Sequence, residues 1–136
     1  LDAMARLDEI GADLVVMPHA DTAVIAQAKA AGMICIPGIA TPTEAYAALH
    51  AGADALKVFP AELVDAKVVK AIRTILPVGT RLFPVGGIAP DTMTDFLAAG
   101  AAGFGLGSAL YKPGDDAATV AAKAGAFTKA WAREAG

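Results

Sequence analysis

The run "ALKVFPAE" (residues 55–62) sets a lysine inside an otherwise apolar strand. Ala55, Leu56, Val58, Phe59 and Pro60 surround Lys57, and stripping an ammonium of water is costly unless something compensates. Alternate strand residues point to opposite faces. Ala55, Lys57 and Phe59 therefore share one face, and Leu56 with Val58 the other. A desolvated lysine is partly free amine at neutral pH. Such an amine attacks a ketone to form an iminium, an electron sink for cleaving or making a C–C bond. Position alone equally admits a lysine paired with a carboxylate on a neighbouring strand.

A second chemistry is written in glycine. "PVGGI" (84–88) and "LGSAL" (106–110) follow consecutive apolar runs. Gly86, Gly87 and Gly107 let backbone N–H groups approach an anion closely, and Ser108 adds a hydroxyl donor. Other polar residues carry blander expectations. His19 in "MPHAD" reads as a loop residue and His50 as a complement to a helix C-terminus. Cys35 reads as a small core residue, Glu62 as either an acid or base just beyond the lysine or a residue holding its loop, and Glu44 and Asp65 as helix-start residues.

These side chains need a scaffold, and the chain shows one in its rhythm. "IGADLVVMP", "AGMICIPG", "AGADALKVFP" and "AGAAGFGLG" share one grammar: a helix end at glycine, a short apolar strand, then Pro or Gly. Strands are expected at about 13–17, 33–36, 54–59, 81–85 and 102–106. Helices are expected over 21–31, 43–51, 65–76, 91–99 and about 116–134, each opening on a capping side chain or a proline. Val68, Val69, Ile72, Ile75 and Leu76 would form the apolar stripe of the third of these. Val120, Ala124, Phe127 and Trp131 would form that of the last. Regular alternation of this kind implies a parallel sheet with crossover helices. No G-x-G-x-x-G follows the first strand, which disfavours a dinucleotide fold. Chemistry at the C-terminal ends of short strands favours a (β/α)8 TIM barrel.

A closed barrel needs eight strands and five are legible, while "LDAMARLDEI" reads as a helix without its strand. The expectation is one domain, residues 1–136, forming the C-terminal portion of the barrel. The two glycine runs would then follow strands seven and eight, where many barrels bind phosphate. The 136 residues carry a formal net charge of −3 with scattered basic residues, which argues against nucleic acid. The longest charge-free run, 96–111, is shorter than the roughly 20 residues of a membrane span and is broken by glycines. One cysteine allows no internal disulfide and suits a cytoplasmic setting.

"LKVFPAE", "PGIATPTEA" (37–45), "PVGGIAPD" (84–91) and "GLGSALY" (105–111), in this order, resemble the 2-keto-3-deoxy-6-phosphogluconate aldolase family, most nearly its 2-dehydro-3-deoxy-6-phosphogalactonate branch. The resemblance implies a TIM barrel, usually a homotrimer, and class I aldolase chemistry without a metal or other cofactor. Its ligands would be a phosphorylated 2-keto-3-deoxy sugar acid and pyruvate. It implies Lys57 as the Schiff-base residue, Pro18 and Phe59 beside the pyruvate, and Gly86, Gly87, Gly107 and Ser108 around the phosphate. Val85, which stands where the gluconate enzymes usually carry threonine, and "SALYKPG" (108–114) resemble the galactonate branch, whereas Pro84 resembles the gluconate pattern. The resemblance places the general base, a glutamate, upstream of Leu1, so Glu62 is not given that role.

Overall fold

The computed structural model describes residues 2–135. Helix α1 (Asp2–Glu9) leads into strand β1 (Leu14–Val16), helix α2 (Thr22–Ala30) and strand β2 (Ile34–Ile36). Strand β3 (Gly38–Ile39), helix α3 (Pro42–His50), strand β4 (Leu56–Val58) and helix α4 (Ala66–Ile75) follow. The chain ends with strand β5 (Leu82–Pro84), helix α5 (Met93–Ala98) and helix α6 (Ala117–Ala135). No helix among the described residues is long and apolar enough to cross a membrane.

All strand pairings are parallel. β1 pairs with β2, and β3–β4–β5 form the next ladder. β2 and β3 are one extended run interrupted at Pro37, which has no N–H to give. Its carbonyl still accepts from Lys57 N at 2.9 Å, and Cys35 O accepts from Asp54 N at 3.0 Å. The two ladders therefore join into one arc of sequential parallel neighbours, the topology of a barrel wall.

The helix starts follow their sequence signals. Asp21 caps α2 by accepting from Ala23 N and Val24 N, and Asp65 caps α4 by accepting from Val68 N. Thr41 and Glu44 close a capping box on α3, with Pro42 in its first turn. Gly11, Gly32 and Gly52 have positive φ, the conformation that stops a helix without strain on a Cβ. α5 is shorter than expected. Pro90–Thr92 form a turn in which Thr92 Oγ1 accepts from Ala89 N at 3.0 Å, and the helix begins at Met93.

Three expectations are corrected. The strand expected at 102–106 contributes a single bridge, Val85 to Gly105. Ala102 N donates to Leu82 O and Gly105 N to Pro84 O, so this segment advances three residues where β5 advances two. That bulge breaks the ladder. On α4 the buried stripe is Val69 and Ile72, continued by Leu76 just past the helix end, while Val68 and Ile75 lie at its flank, 40% and 47% exposed. On α6 the buried contacts are Phe127 and Ala130, and Trp131 sits at the margin with its ring edge-on to Phe104, 6.3 Å between centroids.

The faces of the arc differ sharply. Val15, Cys35, Ile39, Leu56, Val58, Leu82 and Pro84 are buried beneath the helices. Each large aliphatic of this set contributes on the order of 1.5–3 kcal/mol by burial. The other face carries Leu14, Val16 and Ile34, respectively 48%, 52% and 51% exposed. Its other members include Lys57 and Phe83, which are register partners.

Candidate active site

Strand β4 aims Lys57 by anchoring its neighbours. Leu56 and Val58 are fully buried under the helices, which turns Lys57 to the opposite face. Gly38 and Phe83 flank it in register. Its side chain is half-buried, and Nζ lies 4.4 Å from the centroid of the Phe59 ring, a cation–π contact. Among the described residues Lys57 makes no ion pair with a carboxylate. The Phe59–Pro60 peptide is cis.

Gly38 has a role that sequence reading reduced to punctuation. A Cβ at this position would lie 2.3 Å from both the carbonyl carbon and oxygen of Pro18, and 2.8 Å from His19 N. The glycine thus admits the turn after β1 against the strand beside Lys57. Pro18 and His19 are exposed at that turn. The only advance signal was a glycine inside "IPGIA" that continues an extended run instead of ending it.

Phe59, Val85, Gly86, Gly87, Gly107 and Ser108 converge on one cleft of about 450 Å³. Gly86 and Gly87 have φ of 105° and 64°, so their turn depends on the missing Cβ. Leu110 N and Tyr111 N donate to Gly107 O at 2.9 and 3.1 Å, closing a single helical turn at the cleft's other rim. The N–H groups of Gly87, Ile88, Ser108 and Ala109 find no acceptor among the described residues. Unsatisfied backbone donors on both rims of a cleft suit an oxyanion. Gly105, on the cleft wall, makes room for Val85, and Gly103 makes room for Phe83. Added Cβ atoms there would approach the Phe83 ring to 2.8 Å and Val85 Cγ2 to 2.5 Å.

Two charged side chains line this cleft, Glu62 and Lys112. Glu62 does not tie down its loop as expected, because its carboxylate accepts no hydrogen bond among the described residues. Instead it packs on the glycine pair. A Cβ at Gly86 would lie 2.3 Å from Glu62 Oε2, and one at Gly87 would lie 2.7 Å from its Cγ. Lys112 lies in "SALYKPG", a stretch whose resemblance gave this lysine no role of its own. Its backbone N–H donates to Asp115 Oδ2 at 2.8 Å, and Lys123 Nζ pairs with that same oxygen at 2.5 Å.

Beneath the site, Asp54 clamps α2, β2 and the approach to β4. Its carboxylate accepts from Cys35 N at 2.8 Å and pairs with Lys29 Nζ at 2.7 Å. Burial would raise this carboxyl, but the Lys29 ammonium and the Cys35 N–H outweigh it and hold the pKa below the usual range. Burial pushes the Cys35 thiol up, with the Asp54 charge acting in the same direction. Cys35 is fully buried, as a core residue should be. Hydrogen bonds from Ala40 N and from Thr41 hold Glu44 low despite opposing desolvation. His50 is exposed in the last turn of α3, 6.1 Å from the Tyr46 ring. Among the described residues no cluster of His, Cys, Asp and Glu is arranged to hold a metal ion.

Comparison with known proteins identifies the family. Residues 2–122 match the family described as "KDPG and KHG aldolase". The chain is 44% identical over 135 residues to the 2-dehydro-3-deoxy-6-phosphogalactonate aldolase of Escherichia coli (strain K12), covering 99% of this chain and 64% of that protein. A solved structure described as "Native KDPGal structure" superposes with a TM-score of 0.96 at 40% identity, covering 98% of this chain and 65% of that one. A second, "a cube-shaped, highly porous protein cage designed by fusing symmetric oligomeric domains", gives 0.95 at 40% identity, covering 98% and 49%. The chain therefore spans a little under two thirds of the curated relative's length, and its partial barrel wall is the corresponding part of that fold. With lysine strand, glycine cleft and parallel arc all present, this chain belongs to the KDPG and KHG aldolase family.

Proposed function

We propose that the chain carries the Schiff-base lysine and the phosphate cradle of a class I aldolase. Its reaction would be cleavage of 2-dehydro-3-deoxy-6-phosphogalactonate to pyruvate and glyceraldehyde 3-phosphate. The observation that carries this reading is Lys57. It is an amine on the open face of a buried strand, over an aromatic ring, with no carboxylate paired to it among the described residues. A structural lysine in a sheet would be expected to have such a partner.

In the reaction the Lys57 amine adds to the C2 ketone and loses water to give an iminium. The C3–C4 electrons then flow into the iminium as the C4 hydroxyl loses its proton. Glyceraldehyde 3-phosphate leaves, the enamine is protonated at C3, and water releases pyruvate. The free N–H groups at Gly87, Ile88, Ser108 and Ala109 are suited to the phosphate. Phe59, shared between the cation–π contact and the cleft wall, joins the two subsites. No residue of this chain is assigned as the base for C4. The resemblance assigns that step to an upstream glutamate, and such transfer is typically worth about 10²–10⁴-fold. A homotrimer in the cytoplasm completes the reading. Two other readings come from the sequence: Pro84 resembles the gluconate pattern, and a non-catalytic, phosphate-binding half-barrel would use the same cleft.

Borohydride reduction in the presence of pyruvate, on the full-length natural protein, tests this directly. The expected result is a reduced pyruvyl adduct on the peptide containing Lys57, absent in Lys57→Met. A folded protein that gives no adduct would exclude imine chemistry and leave the phosphate-binding reading. Turnover of the two epimers then distinguishes the substrates.

A further inference from the structure

The cleft beside Lys57 contains two opposed charges that phosphate recognition by backbone N–H groups does not require. Glu62 lies directly on the Gly86–Gly87 turn, with its carboxylate over the glycine pair and no hydrogen bond or ion pair among the described residues. An unpaired carboxylate against an oxyanion cradle repels the oxyanion. The segment after Ser108 brings Lys112 to the same cleft. Its backbone is fixed there by Asp115, which Lys123 of α6 in turn holds. Glu62 also borders a second cleft of about 540 Å³ behind the turn, between α4 and α5, lined by Lys67 and Lys70 as well as Asp65 and Asp95. The carboxylate thus has open space on both sides of the glycine turn, so a bound phosphate can displace it without disturbing the backbone.

We propose that Glu62 and Lys112 are opposed specificity residues for the phosphoryl group. Lys112 draws the phosphorylated ligand into the cleft, and Glu62 weakens its hold and speeds its release. The inference rests on the reading that this cleft takes the substrate's phosphate. Both side chains act on binding and not on the bond broken at C3–C4, so their signature is in KM and product inhibition. Both are solvent-exposed, so screening keeps each effect modest, roughly three- to tenfold.

The test uses the full-length protein, with inorganic phosphate as the ligand of a direct binding titration and the phosphorylated sugar acid as substrate. Glu62→Gln, which keeps shape and removes charge, should lower both the phosphate dissociation constant and KM by roughly three- to tenfold. Lys112→Met should raise both by a similar factor, the double variant should return near wild type, and added salt should compress all differences. An unchanged or weaker phosphate affinity in Glu62→Gln overturns the proposal, as does failure of phosphate to bind either protein. Pyruvate carries no phosphate, so the yield of its reduced Lys57 adduct reads the aldolase assignment separately. Adduct with no shift in phosphate affinity removes only the inference. A shift without adduct removes only the aldolase.

Discussion

Replacing Gly38 with alanine adds one methyl group where the structure has no room. That carbon would lie 2.3 Å from the Pro18 carbonyl carbon and oxygen. Ordinary carbon contacts begin at about 3.5 Å, so the Pro18–His19 backbone must retreat by about 1.2 Å. The clash is with backbone on both sides, so no rotamer change relieves it. Gly38 does not have a positive φ, so backbone conformation adds no penalty of its own. Overpacking of this kind costs about 1–3 kcal/mol. Gly38 is also the register partner of Lys57, and displacements near 1 Å at a reacting centre can cost about 10²-fold in rate. The assay is a urea midpoint together with kcat/KM for pyruvate release, both on the full-length protein. Gly125→Ala is the internal control. It lies exposed within α6 with nothing within 4 Å of the added carbon, and it should gain about 0.5–1 kcal/mol from helix propensity. A Gly38→Ala protein with wild-type midpoint and activity would refute the reasoning.

The Asp54 clamp and the carboxylate caps make further predictions. Asp54→Ala leaves the Cys35 N–H without its acceptor and breaks an ion pair whose partners are about one third exposed, 32% and 31%. The expected loss is about 2 kcal/mol by urea titration, most of it from the unsatisfied N–H. Adding Lys29→Met should then cost little more. Asp54 and Glu44 both have depressed folded-state pKa values. The unfolded chain therefore takes up their protons first, so their contribution is present above the ordinary carboxyl range near pH 4 and is lost as pH falls through the lower folded values. Asp115, held low by Lys123 and by Lys112 N, and Asp116, held low by Thr119, act in the same direction. Urea midpoints measured from pH 7 down to about 3 should decline, and Asp54→Asn with Glu44→Gln should flatten the decline. An acid limb unchanged by both substitutions would show that other carboxylates carry it.

The sequence by itself determined whatever depends on neighbours a few residues apart. Asp21, Thr41 with Glu44, and Asp65 mark helix starts because the capping oxygen and the N–H it serves lie within three residues. The two-residue period of "ALKVF" put Lys57 opposite Leu56 and Val58, and the repeated strand–helix unit implied parallel neighbours. The motif residues also converge as their spacing suggested, with Gly86, Gly87, Gly107 and Ser108 on one cleft.

What only the tertiary structure decided is how far each element is rotated and shifted against the next. The apolar stripe of α4 could lie on either flank, and packing chose Val69 and Ile72, continued by Leu76 just past the helix end. The apolar run 102–106 lost its ladder to a bulge against β5, a register fact with no local signature. Gly38 matters only because Pro18 arrives against it, and Glu62 only because the Gly86–Gly87 turn folds beneath its carboxylate. Periodicity is a property of one segment, whereas a steric limit or an opposed charge belongs to two segments distant in sequence. Pairs of that kind exist only once the arc of strands has brought their members together.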